Sequence, residues 1–368
     1  MAPVIQVLDK FTSQIVSRVC VSAQHREMLD QILSDFKINP DYDLDVMRQG
    51  QSPTQVAAII LMKLEPILAE ERPDWVLVQG DTTTTMAASL AAFHAGIKVG
   101  HIEAGLRTHD KMHPFPEEMN RTITGVLADL HFAPTPTARE NLLNANVSPH
   151  RVLVTGNTVI DALRIMDQHT SDMLTGFNFD IPWHKRILLA TVHRRESFGK
   201  PLESICMALH EIANKFVDNA HIVIPVHRNR NVRDTLFRLL DGTEGISLIP
   251  PLDYLPFIQL LKRSYLVLTD SGGLQEEAPW LGKPVLVLRD VTERPEATDT
   301  GVTKVVGTLH KNIVDEVTIL LSDTIRYRSM ARRVSPYGDG FAANRIVHAI
   351  LHNQKIIPAF MHAEGHTT

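Results

Sequence analysis

The chain has 368 residues, 44% of them apolar and 21% charged, a composition that excludes a disordered or fibrous protein and suggests two globular domains. Its 42 acidic and 37 basic residues leave a net charge of −5 with no basic stripe, so no general affinity for nucleic acid is expected. The two cysteines, Cys20 and Cys206, exclude a secreted disulfide framework and a cysteine-built zinc site; both lie in apolar runs and read as buried free thiols.

The opening stretch, MAPVIQVLDKF, reads as a helix and lacks the basic region and small-residue cleavage site of a signal peptide. No apolar run reaches the roughly 18 residues of a membrane span. The longest, TQVAAIILMKLEPILAE, is interrupted by Lys63 and Glu65 and reads as a core helix, with Ser52 as its cap and Pro53 at its first position. A cytoplasmic protein without a membrane partner is the expectation. Through the first half, strand-like runs (SRVCVS, WVLVQG, KVGHIEA, HFAP, RVLVTGN) alternate with amphipathic helical runs such as REMLDQILSDF, TTTMAASLAAFHAG and TARENLLNAN. Such alternation predicts βα units around a parallel sheet. Regularity fades between Asp167 and Lys185, and a second series follows: RILLATVH, HIVIPVH, GISLIPP, YLVLTDSG, PVLVLRD and TKVVG. Near the end, PYGDGFAANRIVHAILHNQ reads as a turn and a closing helix. The predicted fold is α/β: two doubly wound, Rossmann-like domains, 1–168 and 180–340, with a cleft between them and with helix 341–354 packing back on the first. In such sheets ligands sit beyond the carboxyl ends of the strands, so residues just after a strand are the candidates for chemistry.

In the second domain, TDSGGLQEEAP closes a strand with Asp270 and Ser271, turns at Gly272 and Gly273, and opens a helix. Glycines admit a close backbone approach, a helix start offers free N–H groups to an anion, and Ser271 adds a hydroxyl. Glu276 or Glu277, one turn in, suits ribose hydroxyls; the bland alternative is an ordinary turn before helix-favouring glutamates. Neither G-x-x-x-x-G-K-[ST] nor G-x-G-x-x-G occurs, which argues against a nucleotide triphosphatase and a typical NAD enzyme. LATVHRRES places His193, Arg194, Arg195 and Glu196 after another strand, a natural diphosphate grip or else a solvated loop. Arg294, in RDVTERPEA, lies on the same predicted rim. In the first domain, Asp81 follows the run VLVQG, Glu103 follows VGHI beside His101 and Arg107, and Glu117 and Glu118 open a helix. Each alone reads as a cap or dipole partner; together they place carboxylates on one edge, where burial and neighbours can suit them to proton transfer.

The segments AQHREMLDQIL, QGDTTTTMAASLAAF, GHIEAGLRT, PFPEEMNRTITGVLAD, TGNTVIDAL, TVHRRES, TDSGGLQEEAP and LRDVTERPEA resemble, in order and spacing, the bacterial non-hydrolysing UDP-N-acetylglucosamine 2-epimerases. The resemblance implies the two-domain glycosyltransferase-B fold. It implies interconversion of UDP-N-acetylglucosamine and UDP-N-acetylmannosamine without NAD or metal, feeding bacterial surface polysaccharide synthesis. In that scheme a proton leaves sugar carbon 2, UDP departs, and both return with the proton on the other face. The resemblance assigns proton chemistry to Asp81, Glu103 and Glu117, the departing diphosphate to His193, and phosphate oxygens to Ser271, Gly272 and Gly273. Glu277 takes the ribose, Arg294 the substrate, and Leu252 and Phe257 the uracil; which carboxylate is acid and which base stays open. A homodimer and a second, activating UDP-N-acetylglucosamine near Gln24 and His25 are further implications. Members of the family begin with a strand and a G-T-R-P-E-A-type turn, whereas this chain opens at MAPVIQVLDK, so a missing first strand and low stability or activity are expected. The alternatives are a UDP-sugar glycosyltransferase of the same architecture, a hydrolysing relative and a non-catalytic UDP-sugar sensor.

Overall fold

The structure, a computed structural model, describes residues 1–23, 26–48, 50–169 and 179–352. The chain divides into two compact units: Met1–Ala162 with the segment from Tyr337 onward, and Leu163–Pro336.

As the sequence predicts, the first unit opens with a helix, α1 (Ala2–Leu8), rather than a strand. There follow β1 (Cys20–Val21), α2 (Arg26–Asp35), β2 (Tyr42–Asp43), α3 (Pro53–Glu71), β3 (Trp75–Gln79), α4 (Thr83–His94), β4 (Lys98–Ile102), α5 (Glu117–Leu127), β5 (Leu130–Ala133), α6 (Pro136–Asn144), β6 (Val152–Val154) and α7 (Thr158–His169), within which the division between the units falls. Strands β3-β4-β5-β6 form a four-stranded sheet in that order, and β1 and β2 pair apart from it; all these pairs are parallel. The run SRVCVS thus yields a strand of only two residues, on which Val21 is buried and Cys20 exposed. Cys20 is therefore not the buried thiol that its run suggests: β1 pairs with β2 alone and the Cys20 side chain faces outward. The start of α3 is a capping box. Ser52 Oγ accepts from the Gln55 N–H at 3.2 Å, Gln55 Oε1 accepts from the Ser52 N–H at 2.9 Å, and Pro53 follows. Val56, Ile60, Leu64 and Leu68 recur every fourth residue on α3 and bury one stripe with Leu44, Val46, Ala87 and Ala91.

The second unit holds β7 (Arg186–Thr191), α8 (Lys200–Lys215), β8 (Ala220–Pro225), α9 (Arg230–Leu240), β9 (Ile246–Ile249), α10 (Tyr254–Arg263), β10 (Leu266–Thr269), α11 (Leu274–Trp280), β11 (Val285–Val287), α12 (Pro295–Asp299), β12 (Thr303–Val305), α13 (His310–Ser322) and α14 (Thr324–Met330). Its six parallel strands run β12-β11-β10-β7-β8-β9. Read from the far edge this is the Rossmann order 3-2-1-4-5-6, so the direction of winding reverses between β7 and β10. Leu188, Ala190, Leu266, Leu268 and Leu286 of the sheet share one core with Leu202, Ile205 and Leu209 of α8 and Ile313 and Val317 of α13; Cys206 is buried there.

The closing helix α15 (Ala342–His352) belongs to the first unit. The Asp161 carboxylate accepts from the N–H groups of Ala342 and Ala343 at 3.1 and 2.8 Å, satisfying the helix start. Ile346 and Val347 then pack with Val4 and Val7 of α1 and with Ile102, Leu130 and Phe132 of the sheet.

Candidate active site

In the first unit, the register of β3 on β4 pairs Gln79 with Ile102, and the Gly80 N–H donates to the Ile102 carbonyl at 2.9 Å. Asp81 and Glu103 therefore leave adjacent strands at the same sheet edge. Asp81 does not cap α4; the cap is Thr82, whose Oγ1 accepts from the Thr85 N–H at 3.2 Å. The Asp81 carboxylate instead pairs with Arg121, a guanidinium only 2% exposed. Glu103 sits at φ 61°, left-handed backbone that a residue with a side chain adopts at a cost of order 1–3 kcal/mol. Its Oε2 lies 3.3 Å from Gln79 Nε2.

Glu117 opens α5 four residues before Arg121, which puts both on one face of the helix. Glu117 Oε2 is buried without a protein partner among the described residues. The next residue, Glu118, is used structurally: it accepts from the N–H groups of Thr108 and His109 at 3.2 and 3.3 Å and lies 3.6 Å from Arg121 Nη1. The fully buried His101 holds the Gly80 carbonyl at 2.8 Å, and burial pushes its ring down to about 3 and that of neighbouring His131 to about 4. Both rings are neutral packing groups at neutral pH. The edge thus presents two carboxylates on adjacent strand ends, and Glu117 stands on the same face of α5 as Arg121, the partner of Asp81.

In the second unit, the ends of β7 and β10 meet at the switch in winding. The Thr191 and Thr269 hydroxyls bond to each other at 2.7 Å. After β7, His193 projects an imidazole 32% exposed, and its ring stacks on His227 at 5.6 Å and 26°. After β10, Asp270 is fully buried and the turn Ser271-Gly272-Gly273 leads into α11. A Cβ on Gly272 would stand 2.4 Å from Arg294 Nη1 and 2.7 Å from its Cζ, so only glycine lets the turn lie this close to that guanidinium. Arg294 is itself buried, donating to Glu276 Oε1 at 2.6 Å and Glu293 Oε1 at 2.5 Å. Arg289 joins Glu293 at 2.8 Å and Glu196 at 3.2 Å, and Arg194 lies 3.9 Å from Glu293. Burial alone would raise the Glu293 carboxyl, but Arg294 and Arg289 hold it at about 2. Arg294 is thus a fixed element beneath the glycine turn.

Glu277 accepts from the Tyr254 hydroxyl at 2.8 Å. Burial pushes its carboxyl up to about 7, and that bond restrains the rise. Tyr254 opens α10 between Leu252 and Phe257, both half-buried. Gln24 and His25 lie outside the described residues. The sequence reading missed Arg121, Gln79, His227, Tyr254 and the Arg289–Glu293 pair. Arg121 had a signal, its four-residue spacing from Glu117, and Arg289 and Glu293 stand at the same spacing; Gln79, His227 and Tyr254 are reached only through contacts distant in sequence.

A sequence profile described as UDP-N-acetylglucosamine 2-epimerase matches residues 9–351. The chain belongs to that family. The UDP-N-acetylglucosamine 2-epimerase of Escherichia coli (strain K12) is 53% identical over 361 residues, covering 96% of this chain and 95% of that protein. Among solved structures, UDP-GlcNAc 2-epimerase from Neisseria meningitidis bound to UDP-GlcNAc is 48% identical with a TM-score of 0.92 and 96% of each chain covered. The S. aureus MnaA–UDP co-structure is 42% identical with a TM-score of 0.87, covering 96% of this chain and 92% of that one.

Proposed function

We propose that the chain interconverts UDP-N-acetylglucosamine and UDP-N-acetylmannosamine at sugar carbon 2, without hydrolysis. The observation that carries the reading is a division of labour. The first unit has Asp81 and Glu103 at adjacent strand ends and Glu117 on the face of α5 that carries Arg121, the partner of Asp81, and the second has His193 and the Ser271–Gly273 turn at a Rossmann switch point with Glu277 one turn into the following helix. Relatives solved with UDP-GlcNAc and with UDP support it.

In this reading a first-unit carboxylate takes the proton from carbon 2. The bond between carbon 1 and the diphosphate oxygen breaks, its electron pair leaves with UDP, and a double bond forms between carbons 1 and 2. UDP then adds back at carbon 1 while a second carboxylic acid delivers a proton to the opposite face of carbon 2. Carboxylates suit both steps because environment sets which holds the proton. Asp81, paired with Arg121, and Glu117, with one buried unpartnered oxygen, are assigned the proton transfers; Glu103 is assigned to positioning. The second unit keeps the detached UDP: the serine–glycine turn and His193 on the diphosphate, Glu277 on the ribose, Leu252 and Phe257 on the uracil, with Arg294 fixing the turn from beneath. A cytoplasmic homodimer belongs to the same proposal; no described helix is long and apolar enough to cross a membrane. The test is a set of single variants, Asp81→Asn, Glu103→Gln and Glu117→Gln, in the full chain. Each is expected to abolish or greatly slow epimerisation while UDP affinity stays near wild type. Full activity in Asp81→Asn or Glu117→Gln would refute the assignment.

A further inference from the structure

Asp270 is fully buried, yet it is surrounded by donors from one short loop. Its carboxylate accepts from the His193 N–H at 3.1 and 2.9 Å, from the Arg194 N–H at 2.9 Å and from the Ser197 hydroxyl at 3.2 Å. Its Oδ1 also lies 3.2 Å from His193 Nδ1. A carboxylate so occupied has no lone pair to offer a ligand. It does determine what the neighbouring imidazole can do. With Nδ1 engaged, Nε2 is the ring nitrogen left to meet a ligand, and the stacked His227 ring covers one face of the imidazole. Burial works to raise the Asp270 carboxyl, but the His193 ring and the Arg194 and His193 N–H groups hold it below its ordinary value.

We propose that Asp270 is the positioning residue of His193: it accepts from Nδ1–H and so aims Nε2, which donates to the departing diphosphate once it carries a proton of its own and the ring is an imidazolium balanced by Asp270, while His227 limits rotation of the ring. A carboxylate behind a working histidine sets both tautomer and ring direction, and its loss leaves the ring in place but wrongly protonated. The role rests on the reading of His193 as a diphosphate contact, and it goes beyond that reading because Asp270 never touches the substrate. The same carboxylate ties the loop after β7 to the end of β10, two elements 77 residues apart, so the ring is aimed by the sheet itself.

The test has two parts. The first is the 15N spectrum of wild-type histidines, with His193 assigned by its disappearance in His193→Gln. The Nδ1–H form is expected; a ring that carries its neutral proton on Nε2 overturns the proposal, whatever the variants do. The second part compares Asp270→Asn, His193→Gln and the double variant in steady-state turnover. Asp270→Asn is expected to lower kcat by about 100-fold, at the upper end of the ~10–100-fold seen for outer partners of metal-bound histidines and below the ~10⁴ of a catalytic triad. UDP affinity should change much less. The double variant should be no slower than His193→Gln alone, because the carboxylate acts through the ring. Losses that multiply would show that Asp270 serves the fold independently and would overturn the proposal. If Asp270→Asn unfolds, the wild-type spectrum decides. A wild type without turnover would refute the functional reading and leave the tautomer to be judged by the same spectrum.

Discussion

Gly272 and Gly273 are adjacent, and alanine at each should give opposite results. At Gly272 the added Cβ would meet Arg294 Nη1 at 2.4 Å, its Cζ at 2.7 Å and Glu293 Oε1 at 3.0 Å, each well inside van der Waals contact. A guanidinium at the end of a flexible side chain could usually move aside. Here it is 7% exposed and held by Glu276 at 2.6 Å and Glu293 at 2.5 Å, so moving it breaks a buried ion network. Overpacking of this kind costs about 1–3 kcal/mol, more if a buried charge loses its partner. At ~2–4 °C per kcal/mol for a unit of this size, Gly272→Ala should melt several degrees below wild type. At Gly273 the nearest atoms would be Glu277 Oε2 at 3.9 Å and Ser271 Oγ at 4.0 Å, and the backbone is ordinary helix at φ −60° and ψ −40°. Gly273→Ala should therefore melt at or slightly above wild type, since alanine there restricts the unfolded chain by about 0.4–1 kcal/mol. Its methyl would stand beside Ser271 and Glu277, and UDP should bind more weakly. Scanning calorimetry and UDP titration calorimetry on both variants check this. An unchanged melting temperature in Gly272→Ala, or a strongly lowered one in Gly273→Ala, would refute the reasoning.

Arg121→Met should destabilise the first unit by about 3–5 kcal/mol and remove activity, because it strands the Asp81 and Glu118 carboxylates against a buried apolar side chain; thermal unfolding and turnover read it. Glu277, raised from 4.5 to about 7 by burial, stabilises the fold fully below its unfolded value and loses that contribution as pH rises through about 7. The shift corresponds to about 3 kcal/mol, so urea unfolding followed from pH 4.5 to 7 should weaken less steeply in Glu277→Gln than in wild type. His101, lowered from 6.5 to about 3 by burial, works with the opposite sign: its contribution is present above 6.5 and is lost as pH falls towards 3. His101→Asn should flatten the acid limb of the unfolding profile.

The alternation of βα units is legible because strands of a parallel sheet are buried on both faces and read as continuous apolar runs, as in RILLATVH and HIVIPVH. Site candidates are legible because a polar or glycine-rich stretch directly after such a run sits at a strand's carboxyl end. Partnership between distant residues is not. Nothing near Asp81 in the chain announces Arg121, 40 residues away, and DSGG reads as a turn until the fold brings Asp270 to His193. SRVCVS fails for a related reason: its apolar pattern suits a buried strand, but its ladder covers only Cys20 and Val21, set against Tyr42 and Asp43 of β2, which carry no apolar signal.

Following carbon 2 by proton NMR, with the protein and UDP-N-acetylglucosamine in heavy water and no acceptor, tests the central claim most directly. Deuterium should enter carbon 2, and UDP-N-acetylmannosamine should appear with deuterium at that carbon and without free sugar accumulating. A retained carbon-2 proton alongside epimerised product, or steady release of free N-acetylmannosamine, would contradict the account.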